Sequence, residues 1–169
     1  MPQRSQIKAY GLISGGLDSA LALAHMKRLG FDVRAYHLAN GVHASLEPGS
    51  PKSSAMLTAA ELGIPVTIID SARQLLEVIK HPEHGFGQNV NPCIDCRILM
   101  FKIASARLKA DGGHFLFTGE VIGQRPMSQR RQAMELIDRA AGVEGRIVRP
   151  LCGKLLPPTE AEQQGWLKR

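Results

Sequence analysis

A short loop between a strand and a helix constrains the fold of this chain more than any other feature. The hexapeptide Ser-Gly-Gly-Leu-Asp-Ser at 14–19 follows an apolar run at 8–13 and precedes a run of good helix formers at 20–29. Two adjacent glycines allow a tight turn that can approach a ligand closely. Free N–H groups and the helix dipole would then favour a bound phosphate. The alternative is a plain strand–turn–helix corner in which Ser14 or Asp18 only caps the helix.

Strand and helix signals alternate along the rest of the chain. Strands are predicted at 8–13, 32–38, 66–69, 114–118 and 146–151, and helices at 17–29, 52–62, 73–80, 93 or 94–110 and 127 or 128–141, with a Gly- and Pro-rich loop at 40–50. This alternation indicates a parallel sheet covered by helices on both faces. We therefore predict an α/β, three-layer Rossmann-like domain with a five-stranded parallel sheet in the order 3-2-1-4-5. Its ligand crevice would lie beyond the carboxyl ends of strands one and four.

Composition restricts the location and the partners of the protein. The 169 residues are 44% hydrophobic and 21% charged, which suits one globular domain with a core of its own. No apolar run is long enough to cross a membrane, and the first residues lack the pattern of a signal peptide, so we expect a cytoplasmic protein. The net charge of +6 favours polyanions such as tRNA and ATP, although a solvated basic face would give the same charge.

Two cysteines form a second distinctive pattern at the start of the fourth predicted helix. Cys93 and Cys96 stand in a Cys-x-x-Cys arrangement directly after a proline. There the helix dipole and Arg97 or Lys102 would lower a thiol pKa. The same spacing lets two sulfurs reach one metal ion, and a pair of inert buried thiols is the third interpretation.

The loop resembles the signature of the PP-loop ATP pyrophosphatases, whose domains are of the HUP type. It is not a Walker A loop, because no Gly-Lys-Ser/Thr follows at the required spacing. The resemblance implies that ATP is cleaved between its α and β phosphates and that a substrate is adenylated. By the same resemblance Asp18 acts in catalysis through Mg²⁺, and the phosphates are held by Ser14, Gly15, Gly16 and Ser19. Leu38 or Ala39 would contact the adenine through its backbone, and Thr118 and Gly119 would border the nucleotide.

Two further segments narrow the resemblance. The residues at 85–96, which end in Asn-Pro-Cys-x-x-Cys, and those at 118–129 are similar to the tRNA 2-thiouridylases and the 4-thiouridine synthase group. This implies ATP-dependent tRNA thiolation, in which a tRNA base is adenylated and sulfur then displaces AMP. Cys96 matches the family position nearest to the chemistry, and Cys93 would resolve or relay a persulfide. A sulfur donor such as a cysteine desulfurase or a persulfide carrier is the implied partner.

The same resemblance indicates how the chain is divided into domains. We assign 1–155 to the PP-loop domain and 156–169 to a tail, where Thr159 and Glu162 form a capping-box pattern. One interpretation of the tail is the start of a further region that is cut short. The chain contains neither the THUMP region of the 4-thiouridine synthases nor the β-rich carboxy-terminal part of the 2-thiouridylases. We therefore expect tRNA binding to depend on a further RNA-binding domain or a partner.

Several alternatives stay open. Cys93, Cys96 and Cys152 also resemble the ligand set of PP-loop thiolases with a [4Fe–4S] cluster, whereas Cys152 alone is typical of a small buried apolar residue. The enzyme would otherwise adenylate a substrate other than tRNA, or the domain would bind ATP or AMP without turnover. Other candidates are His81 and His84 as metal ligands, Glu120 as an acid–base group or an exposed ion-pair partner, and Gln124, Arg125 and Lys154 as phosphate or RNA contacts.

Overall fold

The computed structural model describes residues 3–39, 54–87 and 91–168, and its secondary structure follows the predicted alternation. The predicted loop at 40–50, the first residues of the predicted second helix and the segment 88–90 lie outside the described residues. The strands are β1 (Lys8–Leu12), β2 (Asp32–Ala39), β3 (Val66–Asp70), β4 (Phe115–Phe117) and β5 (Ile147–Val148). The helices are α1 (Leu17–Arg28), α2 (Ser54–Glu61), α3 (Ala72–Lys80), α4 (Cys93–Ala110), α5 (Arg131–Ala141) and α6 (Glu160–Gln163), with short 3₁₀ helices at Arg4–Gln6 and Gly153–Leu155.

The strands form one parallel sheet in the order β3-β2-β1-β4-β5, which confirms the predicted topology. The central strand β1 pairs with β2 on one side and with β4 on the other, so that Tyr10 lies opposite Arg34 and Leu116. The reversal of strand order falls between β1 and β4. A ligand crevice is expected at that point in an open parallel sheet.

Apolar side chains fill both faces of the sheet. On one face the core contains Leu23 and Met26 of α1 together with Ala55 and Ala59 of α2. On the other face, Tyr36 and Leu116 pack with Phe101 of α4 and Ile137 of α5. Such burial on both faces explains the nearly continuous apolar runs of β1 and β4. β3, at the edge of the sheet, is only partly buried although its sequence is also apolar. Within the described part of the chain, no helix is long and apolar enough to span a bilayer.

The structure moves most predicted boundaries by one or two residues and moves those of α5 and β5 further. Helix α5 begins at Arg131 and not at 127 or 128, because the preceding residues form turns in which Gly123 N–H donates to the Gln129 carbonyl at 2.8 Å. β5 is only two residues long, since Pro150 cannot donate to a strand partner and the chain turns there. β2 continues to Ala39, which pairs with Asp70. The predicted capping box of Thr159 and Glu162 is confirmed at the start of α6.

Candidate functional site

The 14–19 loop joins β1 to α1 in a conformation that only glycine adopts readily. Gly15 has φ +86°, and a Cβ atom there would meet the Ser54 hydroxyl and lie 2.7 Å from the backbone nitrogen of Ala55. The loop therefore packs directly against the start of α2. Gly16 is the residue immediately before α1, with extended backbone angles.

The side chains of Ser14 and Ser19 form hydrogen bonds within this loop. The Ser19 hydroxyl donates to the Gly16 carbonyl at 2.8 Å and lies 3.4 Å from the backbone N–H of Ser14. The Ser14 hydroxyl lies 3.4 Å from the backbone N–H of Gly16 and from Ser19 Oγ. The first N–H of α1 that bonds back within the helix belongs to Ala20. The N–H groups of the residues at the start of α1 have no partner along the helix, and Asp18 is half-buried there. Such a helix start suits an anion.

The residues that follow β4 pack against this loop. A Cβ atom on Gly119 would lie 2.5 Å from the carbonyl of Asp18 and 2.6 Å from the nitrogen of Ser19, so that only glycine fits. Thr118, the residue before it, is buried. The structure thus brings together two sequence-predicted groups, the 14–19 loop and the Thr118–Gly119 pair, which lie about a hundred residues apart.

The end of β2 adjoins the start of the same loop. His37 is buried, and its Nδ1 lies 3.0 Å from the carbonyl of Ile13, while the Ile13 N–H donates to Tyr36. Leu38 comes next, and its partly buried side chain packs against the apolar cluster of α4 and α5. Contact between Leu38 and an adenine remains a prediction.

The predicted cysteine pair lies in the first turn of α4. Cys93 is the first residue of the helix, and Cys93 and Cys96 are free, half-buried thiols. Burial raises the pKa of the Cys96 thiol, and the nearby Arg97 guanidinium opposes this effect without overcoming it. The expectation that Arg97 would lower this pKa below its ordinary value is therefore wrong for Cys96. Its thiol is mostly protonated at neutral pH in this conformation.

An ion pair between a partly buried arginine and a buried carboxylate connects the cysteine helix to the end of β4. Arg97, which follows Cys96, places its Nε 3.2 Å from Oε1 of Glu120, which follows Gly119. The Glu120 side chain is 3% exposed, so the prediction of an exposed ion-pair partner is wrong while the pairing itself is confirmed. The Thr118 hydroxyl also donates to Oε2 of this carboxylate, at 3.2 Å.

Arg149 completes the network from the end of β5. Its Nε donates to Glu120 Oε2 at 3.0 Å, and its two terminal nitrogens donate to the carboxylate of Asp138 at 2.8 and 2.6 Å. Burial opposes the charge on Arg149, but the pairs with Asp138 and Glu120 outweigh it and raise its pKa. For Asp138, burial dominates over the arginine and raises the pKa. Sequence reasoning missed Arg149 and Asp138, since nothing in their local pattern marks them.

The third cysteine touches this network but forms no compact metal cluster with the other two. Cys152 is buried, and its thiol donates to the backbone carbonyl of Glu120 at 3.3 Å. Among the described residues, the one set of three ligating side chains with donor atoms within 4.8 Å of each other is Glu83, His84 and Asp95. An iron–sulfur role for the cysteines therefore remains a prediction.

Two members of this set, His84 and Asp95, are joined directly by hydrogen bonds. Asp95 lies between the two cysteines and is buried, and its two oxygens pair with the backbone N–H and the Nδ1 of His84, at 2.9 and 2.7 Å. Asp95 thereby anchors the loop before the cysteines to α4. Sequence analysis missed Asp95, although an acidic residue in the first turn of a helix was a visible signal.

Comparisons with known proteins agree with this geometry. A family model described as Thiamine biosynthesis protein (ThiI) matches residues 4–155. The tRNA-specific 2-thiouridylase MnmA of Mycobacterium leprae is 34% identical over 125 residues, covering 67% of this chain and 35% of that protein. MnmA of Trichlorobacter lovleyi is 29% identical over 114 residues, covering 65% and 32%. The chain thus spans about a third of the length of these curated relatives.

Solved structures share the fold. A 4-thiouridine synthetase in complex with RNA and bound ATP aligns with a TM-score of 0.66 at 24% identity, covering 90% of this chain and 38% of that one. A predicted subunit of tRNA methyltransferase from Methanocaldococcus jannaschii aligns with a TM-score of 0.57 at 22% identity, covering 87% and 69%. At these identities the alignments establish the architecture of the domain.

Proposed function

Because the chain belongs to the ThiI family, as the match over residues 4–155 shows, we propose that it acts in ATP-dependent tRNA thiolation. In this proposal the domain adenylates a carbonyl oxygen of a tRNA base, releases pyrophosphate and admits sulfur at the activated carbon. The curated relatives are named 2-thiouridylases, and a solved relative is a 4-thiouridine synthetase, so the proposed base is uridine.

One observation carries the proposal. The Thr118–Glu120 segment contacts the phosphate-type loop through Gly119 and the cysteine helix through the 3.2 Å pair of Glu120 and Arg97. An activating site and a sulfur-carrying site must act on the same carbon. Their attachment to three consecutive residues supports a single two-part centre.

The nucleotide half of the proposed centre fits ATP by its donor set. A polyphosphate would be suited by the N–H groups of the first turn of α1, which have no partner along the helix, and by the hydroxyls of Ser14 and Ser19. The loop at Gly15 and Gly16 would let the backbone approach the ligand closely. Asp18 offers a half-buried carboxylate in the first turn of α1, where it would hold Mg²⁺. The ion, when bound, neutralises charge on the phosphates. Thr118 and Gly119 would border the nucleotide, and Leu38 would approach the adenine.

The sulfur half of the proposed centre depends on the cysteine pair. Cys96 would carry the sulfur as a persulfide, whose terminal sulfur attacks the adenylated carbon as AMP leaves. Cys93 would then attack the Cys96 sulfur, which frees the thiolated base and forms a Cys93–Cys96 disulfide. A thiol reductant restores the pair, and a cysteine desulfurase or persulfide carrier reloads it. The Cys-x-x-Cys spacing at a helix start supports this exchange.

A second route through the same residues uses a [4Fe–4S] cluster held by Cys93, Cys96 and Cys152. It is favoured by one contact, since Cys152 reaches the backbone of Glu120, which in turn pairs with the neighbour of Cys96. The two routes differ in their need for Cys152.

The decisive experiment measures two products from ATP, unmodified tRNA and a persulfide source. Pyrophosphate release and thiolated nucleosides are both expected, with Asp18→Asn reducing both and Cys96→Ser reducing only the thiolated nucleoside. Cys152→Ser serves as the matched thiol control and keeps full activity in the persulfide route, whereas the cluster route loses activity and iron together. Pyrophosphate release without any thiolated nucleoside would leave only an adenylating enzyme with another product. Absence of pyrophosphate release would contradict the proposed activity and favour a domain that binds the nucleotide without turnover.

A further inference from the structure

One imidazole and two carboxylates come together beside the start of the cysteine helix. Glu83 and His84, in the loop before α4, and Asp95, in its first turn, each place one donor atom within 4.8 Å of the other two. Asp95 is buried, whereas Glu83 and His84 are exposed. His81, the other histidine that the sequence marked as a metal ligand, belongs to no such set in the described part of the chain. The structure therefore separates the two histidines and adds two carboxylates to one of them.

No basic side chain balances the charge of the two carboxylates. Among the described residues, Asp95 forms its ion pair with His84 alone, and Glu83 has no lysine or arginine partner. The buried carboxylate of Glu120, by contrast, pairs with two arginines. A buried carboxylate needs a positive charge nearby, and an imidazole supplies one only when it is protonated. Two carboxylates that converge on a histidine therefore favour a cation among the three side chains.

The orientation of Asp95 suits such a cation. The backbone N–H of His84 donates to Oδ2 of Asp95 at 2.9 Å, which fixes the carboxylate and leaves Oδ1 at 2.7 Å from the ring nitrogen Nδ1. Two ligand atoms of one tetrahedral zinc ion lie about 3.3 Å apart, because each is about 2 Å from the metal. Oδ1 and Nδ1 therefore need to separate by only about half an ångström to bind one ion. Glu83 is exposed, so its side chain can rotate toward the same point.

We propose that Glu83, His84 and Asp95 bind one divalent transition-metal ion of the Zn²⁺ type, with a water molecule as a fourth ligand. A set of one imidazole and two carboxylates suits zinc, cobalt or manganese better than Mg²⁺, which prefers oxygen ligands. Asp95 lies between Cys93 and Cys96 in sequence, so the ion holds the preceding loop against the start of the cysteine helix. The site uses neither thiol, and its existence does not depend on the proposed thiolation.

The test uses the whole chain with all three cysteines replaced by serine, so that no thiol can bind the metal. After removal of metals with a chelator, the protein is titrated with Co²⁺, whose visible absorption reports its ligands, and with Zn²⁺ in a calorimeter. One equivalent of either ion is expected to bind, and Zn²⁺ is expected to raise the melting temperature. Glu83→Gln and His84→Gln are each expected to weaken binding at least tenfold. His81→Gln and Glu77→Gln, which replace exposed residues outside the set, are the matched controls and keep the full affinity.

The outcomes separate this site from the thiols and from the fold. Absence of binding in the thiol-free protein overturns the inference, as does equal affinity in the two site variants and the two controls. Binding that needs the cysteines also overturns it and assigns the metal to the thiols. Glu83 forms no hydrogen bond in the described part of the chain, so Glu83→Gln is expected to fold and decides the question even if His84→Gln is unstable. Because the thiol-free protein carries no persulfide, failure of this test leaves the proposed function standing, and success does not support it.

Discussion

Gly119 lies against the backbone of Asp18 so closely that a single added methyl group would come within 2.5 Å of the Asp18 carbonyl. This contact joins the end of β4 to the first turn of α1. It holds together two segments of the candidate nucleotide site that are remote in sequence. Backbone atoms form the obstacle, so a larger side chain cannot be accommodated by a change of rotamer.

Gly119→Ala is expected to weaken ATP binding at least tenfold and to destabilise the fold by about 1–3 kcal/mol, because α1 and β4 must separate. Gly153→Ala is the control, since a Cβ at Gly153 meets nothing within 4 Å and the backbone there needs no positive φ. Titration with an ATP analogue and chemical denaturation measure the two effects. Equal behaviour of the two variants would contradict the close packing.

Glu120→Gln is expected to lower the free energy of unfolding by about 2–4 kcal/mol, because it leaves the buried guanidinium group of Arg149 and the partly buried one of Arg97 without their shared carboxylate. Glu144→Gln is a matched control, since Glu144 pairs with Arg139 at the surface and its loss should cost less than about 0.5 kcal/mol. Urea denaturation measures both. A Glu120 variant as stable as the control would show that the network contributes little.

Alkylation of Cys96 is expected to have a midpoint above the ordinary thiol pKa of about 8.5, because burial raises its pKa. The rate of reaction with iodoacetamide against pH, in a Cys93→Ser/Cys152→Ser background, gives this midpoint. Adding Arg97→Gln should move it higher still, since Arg97 acts in the opposite direction. A midpoint below 8 would mean that the thiol is less buried than the structure indicates.

Asp111 should contribute to stability only above mildly acidic pH. Hydrogen bonds from Arg107 and from the Tyr36 hydroxyl hold the pKa of Asp111 below its ordinary value of 3.8. Since the folded pKa is the lower one, this stability is present above the unfolded pKa and is lost as pH falls through the folded pKa. The difference in unfolding free energy between wild type and Asp111→Asn should therefore shrink below about pH 4. A difference that is constant from pH 3 to 7 would contradict this linkage.

The topology could be predicted because it follows from local patterns. Apolar runs separated by amphipathic segments, with glycines after the helices, predict the strand order that the structure confirms. The start of α5 could not be predicted from local sequence. The residues at 127–130 are compatible with a helix, but they belong to a turn closed by the hydrogen bond between Gly123 and Gln129. Tertiary packing of Met127 on Gly87 accompanies that turn.

The candidate site likewise has features that the sequence predicted and features that it did not. Local spacing identified the loop at 14–19 and the thiols of Cys93 and Cys96, because a tight turn and a helix start depend on residues that are adjacent in sequence. The anchoring of His84 by Asp95 was not predictable, since an eleven-residue separation carries no periodic signal. The pKa of Cys96 was predicted in the wrong direction, because burial depends on residues from elsewhere in the chain.

By itself, the sequence determined the sheet, the glycine loop and the cysteine pair, since each depends on neighbours along the chain. Only the tertiary structure decided that Glu120 joins Arg97 to Arg149 and that Gly119 closes on Asp18. It also decided that Gln129 buries a side-chain oxygen that has no partner among the described residues. The physical reason is that buried charges and amides are placed by long-range packing, where a partner's distance in space is independent of its distance in sequence.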